Sequence, residues 1–227
     1  MRKIKWIALY VFTIVFTVSC LNNNDDGIEV VEGGWIAFFN VSPGSNQLRL
    51  YADGDAVPGQ AVNYGEFNTY SRLDVGEYEI SVRSSSSEDM TSSPLEVGVN
   101  KYYGAYAVNT TENIELIFYL DNHTVPTHFG KTLFRFMQLS PNMPEVKLKF
   151  ETEDEDFGTY NFKESTGFQE IESFENKYVY LIDEATNDTL LSKQISLLGR
   201  TSYVLFSKGI MDTENENQQL DFQLIEF

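Results

Sequence analysis

Trp35-Ile36-Ala37-Phe38-Phe39-Asn40-Val41-Ser42-Pro43-Gly44, leading into Leu48-Arg49-Leu50-Tyr51, sets the architecture because it recurs. Leu133-Phe134-Arg135-Phe136-Met137-Gln138-Leu139-Ser140-Pro141-Asn142 leads in the same way into Val146-Lys147-Leu148-Lys149-Phe150. Each copy reads as strand, Ser-Pro turn, strand: an apolar run rich in aromatics, stopped by residues that start a turn. Downstream, Val99-Asn100-Lys101-Tyr102-Tyr103 lines up with Leu198-Gly199-Arg200-Thr201-Ser202-Tyr203 if one inserted residue is allowed. Asn113 to Asp121 likewise corresponds to Gln218 to Phe227. Two copies make a tandem pair and not a solenoid.

Within each copy the apolar period is that of strands. Glu77-Tyr78-Glu79-Ile80-Ser81-Val82-Arg83 alternates, and Val146, Leu148 and Phe150 oppose Lys147 and Lys149. Such alternation fits antiparallel sheets with one packed and one wet face. Trp35 to Val41 is almost continuously apolar, as expected of a strand nearer the centre. Gly54, Gly59, Gly65, Gly76 and Gly98 fall at turn-like places in the first copy. No segment after Cys20 carries a useful helical period. The expectation is all-β: two tandem immunoglobulin-like antiparallel β-sandwiches, residues 33–121 and 132–227, joined by a linker at 122–131.

Several of these segments resemble a known family. Asn40-Val41-Ser42-Pro43-Gly44, Leu48-Arg49-Leu50-Tyr51-Ala52-Asp53-Gly54, Leu73-Asp74-Val75-Gly76-Glu77-Tyr78 and Asn100-Lys101-Tyr102-Tyr103 are similar to the domain of unknown function family numbered 4397. That family's last motif normally begins with Gly; Asn100 stands there, and Asn also tolerates a left-handed turn. The second copy keeps Ser140-Pro141-Asn142 and Gly199-Arg200-Thr201-Ser202-Tyr203, but has Phe174-Glu175-Asn176-Lys177-Tyr178 in place of the glycine turn. The resemblance implies immunoglobulin-like sandwiches on secreted or surface proteins, often in tandem, with no established activity.

At the start of the chain, Arg2, Lys3 and Lys5 mark the head of an apolar run from Ile4 to Val18 that carries no charge after Lys5, then come Ser19 and Cys20. This is the layout of a signal peptide over residues 1–19, and the run is short for a bilayer span of about 20 residues. Thr17-Val18-Ser19-Cys20 resembles the lipobox of bacterial lipoproteins, with Thr17 where Leu is usual. Cys20, the only cysteine, is thus the expected lipidation site, and multiple acyl chains would anchor the protein stably. Residues 20–32 read as a flexible acidic tether, and Asp25-Asp26 resembles signals that direct lipoproteins of Gram-negative bacteria outward. The expected place is therefore the outer membrane, lipid-anchored, facing the cell exterior.

Charge narrows the partners. The chain carries 16 basic and 34 acidic residues, and without Arg2, Lys3 and Lys5 only 13 basic residues remain. Such a surface repels phosphate backbones and anionic headgroups, so no nucleic-acid partner is expected. Both histidines, His123 and His128, lie in the linker near Asp121, a weak zinc pattern without a cysteine or a helix to fix it. A serine nucleophile would need one of these histidines as base, and no GxSxG turn accompanies them. Paired carboxylates leave a glycan-active hydrolase as a third, minor reading. The acidic stretch at 151–156 reads as a solvated hairpin with carboxylates that suit calcium. No catalytic residue, metal site or cofactor is assigned.

Two function classes lead. One is a non-enzymatic surface binding or adhesion module for a protein or glycan, with Tyr64, Tyr70, Tyr102, Tyr103 and Tyr106 as candidate contacts against the simpler role of sheet packing. The other is a structural spacer or accessory subunit of an outer-membrane surface assembly, its exposed strand edge accepting a partner strand. Asp188-Thr189-Leu190 matches a short O-glycosylation pattern, making Thr189 a possible acceptor. The sequons at Asn40, Asn109, Asn122 and Asn187 mean little in a bacterial lipoprotein. The alternation of Leu220, Phe222 and Leu224 before Phe227 fits a last sandwich strand better than a membrane barrel strand.

Overall fold

A computed structural model describes residues 32–84, 89–151 and 157–227, and Glu32–Phe227 forms one compact unit. The signal segment, Cys20 and most of the acidic 151–156 stretch lie outside the described residues. Among the described residues no helix is long and apolar enough to cross a membrane.

The first copy contains β1 (Gly33–Asn40), β2 (Arg49–Ala52), β3 (Asp55–Ala56), β4 (Ser71–Asp74), β5 (Gly76–Arg83), β6 (Asp89–Val97), β7 (Tyr102–Val108) and β8 (Glu115–Asp121). The second repeats the series as β9 (Lys131–Gln138), β10 (Val146–Phe150), β11 (Thr159–Tyr160), β12 (Gln169–Glu172), β13 (Phe174–Asp183), β14 (Thr189–Leu197), β15 (Ser202–Lys208) and β16 (Asp221–Glu226). Sheet orders are β4-β1-β7-β8 and β3-β2-β5-β6 in the first copy, and β12-β9-β15-β16 and β11-β10-β13-β14 in the second. The two orders are the same strand for strand. Each copy is thus an immunoglobulin-like sandwich, with one refinement: β1 runs parallel to β7, and β9 parallel to β15, while the other ladders are antiparallel.

The copies match without an insertion. Asn100 N–H donates to Gly33 O and Arg200 N–H to Lys131 O, while Trp35 N–H donates to Lys101 O and Leu133 N–H to Thr201 O. Asn100 and Arg200 are therefore equivalent, both left-handed at φ 53° and 61°. The glycines mislead the eye, because Gly98 corresponds to Leu198 and Val99 to Gly199. Gly199 has its own reason: a Cβ there would lie 1.7 Å from Phe129 O.

β1 is continuously apolar because both of its faces are buried. Ile36 and Phe38 join Leu48, Leu50, Ile80 and Val82 in the first sandwich core, while Ala37, Phe39 and Val41 face the other way. There they meet Tyr106 and Val108 of β7 and Met137, Leu139, Val204, Phe206 and Ile225 of the second copy. Phe134, Phe136, Leu148, Phe150 and Leu205 fill the second sandwich core. Sheets β4-β1-β7-β8 and β12-β9-β15-β16 are consequently packed against each other, with Phe206 edge-on to Phe39 and Tyr106. Strands covered on both sides lose the polar alternation of a wet sheet.

The Ser-Pro turns have a buried cause as well. The Asn40 side chain donates to Asn46 O at 3.3 Å and Val62 O at 3.1 Å, and accepts from Ser42 N–H at 3.3 Å and Ser45 Oγ at 2.9 Å. Gln138, its counterpart, accepts from Ser140 N–H at 2.6 Å and Ser207 Oγ at 3.2 Å. An amide at the strand end thereby satisfies the backbone where the chain leaves the sheet.

Candidate functional site

The junction between the two sandwiches brings the chemistry together. Arg135, alone among the apolar side chains of β9, donates to Asp121 Oδ1 at 3.1 Å and also to Leu120 O. Their side chains are 6% and 0% exposed. Tyr70 Oη donates to the other carboxylate oxygen at 2.6 Å, and the guanidinium lies 3.9 Å from the Phe168 ring centre. Burial outweighs these partners and pushes the Asp121 carboxyl up to about 6, while it pulls Arg135 down. Burial, and then Asp121, also raises the Tyr70 hydroxyl far above its ordinary range. Gly104 makes the fit possible, since a Cβ there would stand 2.6 Å from Tyr106 Cε2 and 2.9 Å from Asp121 Oδ2.

Beside this pair lies an aromatic group. The Tyr102 ring stacks with Trp35 at 6.2 Å and 10°, and sits 4.3 Å from the His123 ring. Tyr70 and Phe227 close on the same imidazole, both at 5.0 Å. A hollow of about 390 Å³ adjoins them, lined among others by Asn100, Lys101, Tyr102, Leu120, Asn122 and His123. Aromatic faces, amides and one ammonium in a single concavity suit a partner that presents both apolar faces and hydroxyls. Burial lowers the His123 imidazole below its ordinary value.

The predicted tyrosines divide. Tyr70 and Tyr102 join the aromatic group. Tyr64 lies on another flank of the junction, with Lys208 Nζ 5.0 Å from its ring centre. Tyr103 and Tyr106 are corrected: they are 8% and 0% exposed and cannot meet a partner. Tyr103 Oη accepts from Gly98 N–H and donates to Glu96 O, both at 3.0 Å, closing the turn before β7. Tyr203 Oη accepts from Leu198 N–H in the same place of the second copy. Tyr106 belongs to the buried junction, where desolvation raises its hydroxyl.

Other expected sites resolve by placement. Asp121 is committed to Arg135 and Tyr70, and His128 is exposed apart from His123's aromatic setting. No group of three metal-ligating side chains occurs among the described residues. Glu151, the described member of the acidic stretch, accepts from Tyr178 N–H at 3.0 Å. Thr189 is exposed at the start of β14. Arg135 went unrecognised from sequence, although a cation in the middle of an apolar run is a signal that some carboxylate must face it.

Fold and junction together define a class: paired β-sandwiches sharing a buried, partly charged interface. The family model described as Domain of unknown function (DUF4397) matches residues 34–149, over half of the chain, and the chain belongs to that family. The match runs from the second residue of β1 through the rest of the first sandwich and β9 to the last but one residue of β10. No curated protein matches the chain. Among solved structures, a leucine-rich repeat protein from Bacteroides thetaiotaomicron VPI-5482 is similar at 12% identity and a TM-score of 0.19. That match covers 76% of this chain and 26% of the other, so the chain spans about a quarter of its length.

Proposed function

We propose that the chain is a bacterial lipoprotein, anchored through Cys20 in the outer membrane, that acts as a non-enzymatic binding module on the cell surface. The observation that carries the reading is the Trp35–Tyr102–His123 aromatic group beside a hollow lined by Asn100, Lys101 and Asn122. Aromatic rings stack on the apolar faces of sugars while amides serve hydroxyls, which favours a glycan over a protein partner. The low ratio of basic to acidic residues supports an exposed, soluble display. Protease shaving of intact cells with acyl labelling tests location, and a Cys20→Ala chain should lose the label and the membrane. Glycan-array binding tests the site: Tyr102→Ala should weaken any positive signal by about 5- to 30-fold, since an aromatic contact of this kind contributes about 1 to 2 kcal/mol. A ligand bound equally by Tyr102→Ala sinks this assignment.

A further inference from the structure

Eight large apolar side chains are exposed among the described residues, and six of them fall on one end of the molecule: Val75, Val99, Leu120, Val125, Phe129 and Leu198. Hydrogen bonds place them together. Val75 N–H donates to Glu32 O at 3.3 Å, and Asn100 N–H, one residue past Val99, donates to Gly33 O at 2.8 Å. Leu120 shares the aromatic hollow with Asn100 and Thr124, and Val125 follows directly. The second copy repeats the arrangement: Ser173 N–H donates to Gly130 O and Arg200 N–H to Lys131 O, which sets Phe129 and Leu198 around the start of β9. Ser202 Oγ donates to Asn122 O at 3.0 Å and so ties the two sets to the same end. The other two exposed side chains are elsewhere. Phe67 stacks on Phe39 near the far end of β1, and Tyr178 lies in the middle of β13 beside Tyr180.

Each of the six sits in a turn, in the linker or at a strand end, where a polar residue would cost the fold little. Phe129 is 80% exposed, with the Arg200 guanidinium 4.8 Å from its ring centre. A scattered apolar side chain is ordinary, but six around one end mark a surface that meets something. Two of the acids among them are already paired, Asp74 with Arg72 and Glu172 with Lys131. The chain also enters here. Glu32 is held at this end by Val75, and Cys20 precedes it by twelve residues, a reach of about 40 Å at full extension. An anchor at Cys20 therefore holds this end within that distance of the bilayer.

We infer that the apolar end seats on the membrane, with Val75, Val99, Phe129 and Leu198 entering the headgroup boundary of a zwitterionic phospholipid surface. The inference rests on the Cys20 anchor proposed above. Acyl chains supply the affinity and the seat supplies the orientation, because tethering makes a weak second contact intramolecular. A zwitterionic surface fits because the strongly acidic protein repels an anionic one. In this pose the aromatic hollow, which opens beside Asn100, Lys101 and Leu120, meets sugars carried at the membrane itself.

Tryptophan fluorescence tests the seat on the full chain, reconstituted in phosphatidylcholine vesicles with plain or brominated acyl chains, with wild type as the baseline. Phe129→Trp and Leu198→Trp should each add emission that is blue-shifted on vesicles and lost on bromination. Phe67→Trp, at the other end of β1, should add emission that bromine leaves unchanged. Circular dichroism checks that each variant is folded, and either reporter serves if the other is not. The seat is overturned if bromine leaves the emission of Phe129→Trp and Leu198→Trp intact, if it quenches Phe67→Trp equally, or if the chain does not float with the vesicles. Acyl labelling of the same samples separates the two readings: label without quenching removes the seat and keeps the anchor, while quenching without label keeps the seat and removes the anchor. A blue shift that appears without vesicles, together with a doubled mass in sedimentation, would assign this end to a second copy of the chain instead.

Discussion

Removing Arg135 should cost more at pH 8 than at pH 5, and the reason lies in which member of the buried pair can escape its charge. In Arg135→Met the Asp121 carboxyl keeps only the Tyr70 hydroxyl at 2.6 Å and loses the guanidinium that helped to hold its proton affinity down. At pH 8 an unpaired buried carboxylate costs about 3 to 5 kcal/mol. At pH 5 it takes up a proton instead, leaving the lost hydrogen bonds and the Phe168 contact, about 1 to 3 kcal/mol. The sign follows from linkage. Asp121 has its folded value raised to about 6, above that of an unfolded aspartate, so its contribution is fully present below pH ~4 and is lost as pH rises through about 6. A rise from about 4 unfolded to about 6 folded makes that loss about 3 kcal/mol. In Arg135→Met the folded value climbs further and the loss deepens. Urea denaturation followed by circular dichroism at pH 5, 6.5 and 8 measures it, with Asp121→Asn as the control whose difference from wild type should shrink as pH rises. Equal cost of Arg135→Met at pH 5 and pH 8 would refute the argument.

Two further substitutions test the fold. Gly199→Ala places a methyl against the Phe129 carbonyl, where backbone must move, and should destabilise by about 3 kcal/mol, the upper end for overpacking, as read by thermal melting. Asn40→Ala removes an amide with four hydrogen bonds and should cost about 2 to 3 kcal/mol; Gln138→Ala, whose Nε2 has no partner among the described residues, should cost about 1 kcal/mol less in the same urea titration.

The strands and the duplication were legible because side-chain alternation is local: the pattern of residues 77–83 and 145–151 is set by which face is wet. The parallel pairing of β1 with β7 was not, since it joins segments more than sixty residues apart and leaves no mark on either strand. The continuous apolar run at 35–41 could be read as central, but not as lying between two sandwiches, because burial by a partner sheet and burial by the neighbouring copy demand the same residues. The one-residue insertion was a false reading caused by glycines that serve different needs, Gly199 making room for Phe129 O and Gly98 occupying the place of Leu198. Tyr103 and Tyr106 illustrate the same limit, because a tyrosine in a strand reads alike whether its hydroxyl closes a turn, meets a core or faces solvent. His123, Tyr70 and Phe227 come from distant parts of the chain, and only the packing of the two sheets assembles them.

Duplication raises a problem that the charged pair answers. Two sheets of the same strand order, each apolar on the face turned to the other, can stack in more than one register, and hydrophobic burial distinguishes poorly between them. By ladder register Arg135 stands where the first copy has Ala37, and Asp121 where the second has Phe227. The counterpart contact is therefore apolar, and only one stacking brings guanidinium to carboxylate. Any other leaves two buried charges without partners, a penalty of several kcal/mol per ion. The pair adds little to stability over an apolar replacement, so its effect is on choice of arrangement. Replacing both residues together, Arg135→Met with Asp121→Leu, should thus leave the unfolding free energy within about 1 kcal/mol of wild type or above it, while the single changes destabilise. Loss of a unique stacking in the double variant would appear as broadened amide resonances from β1, β7, β9 and β15, the strands that form the interface.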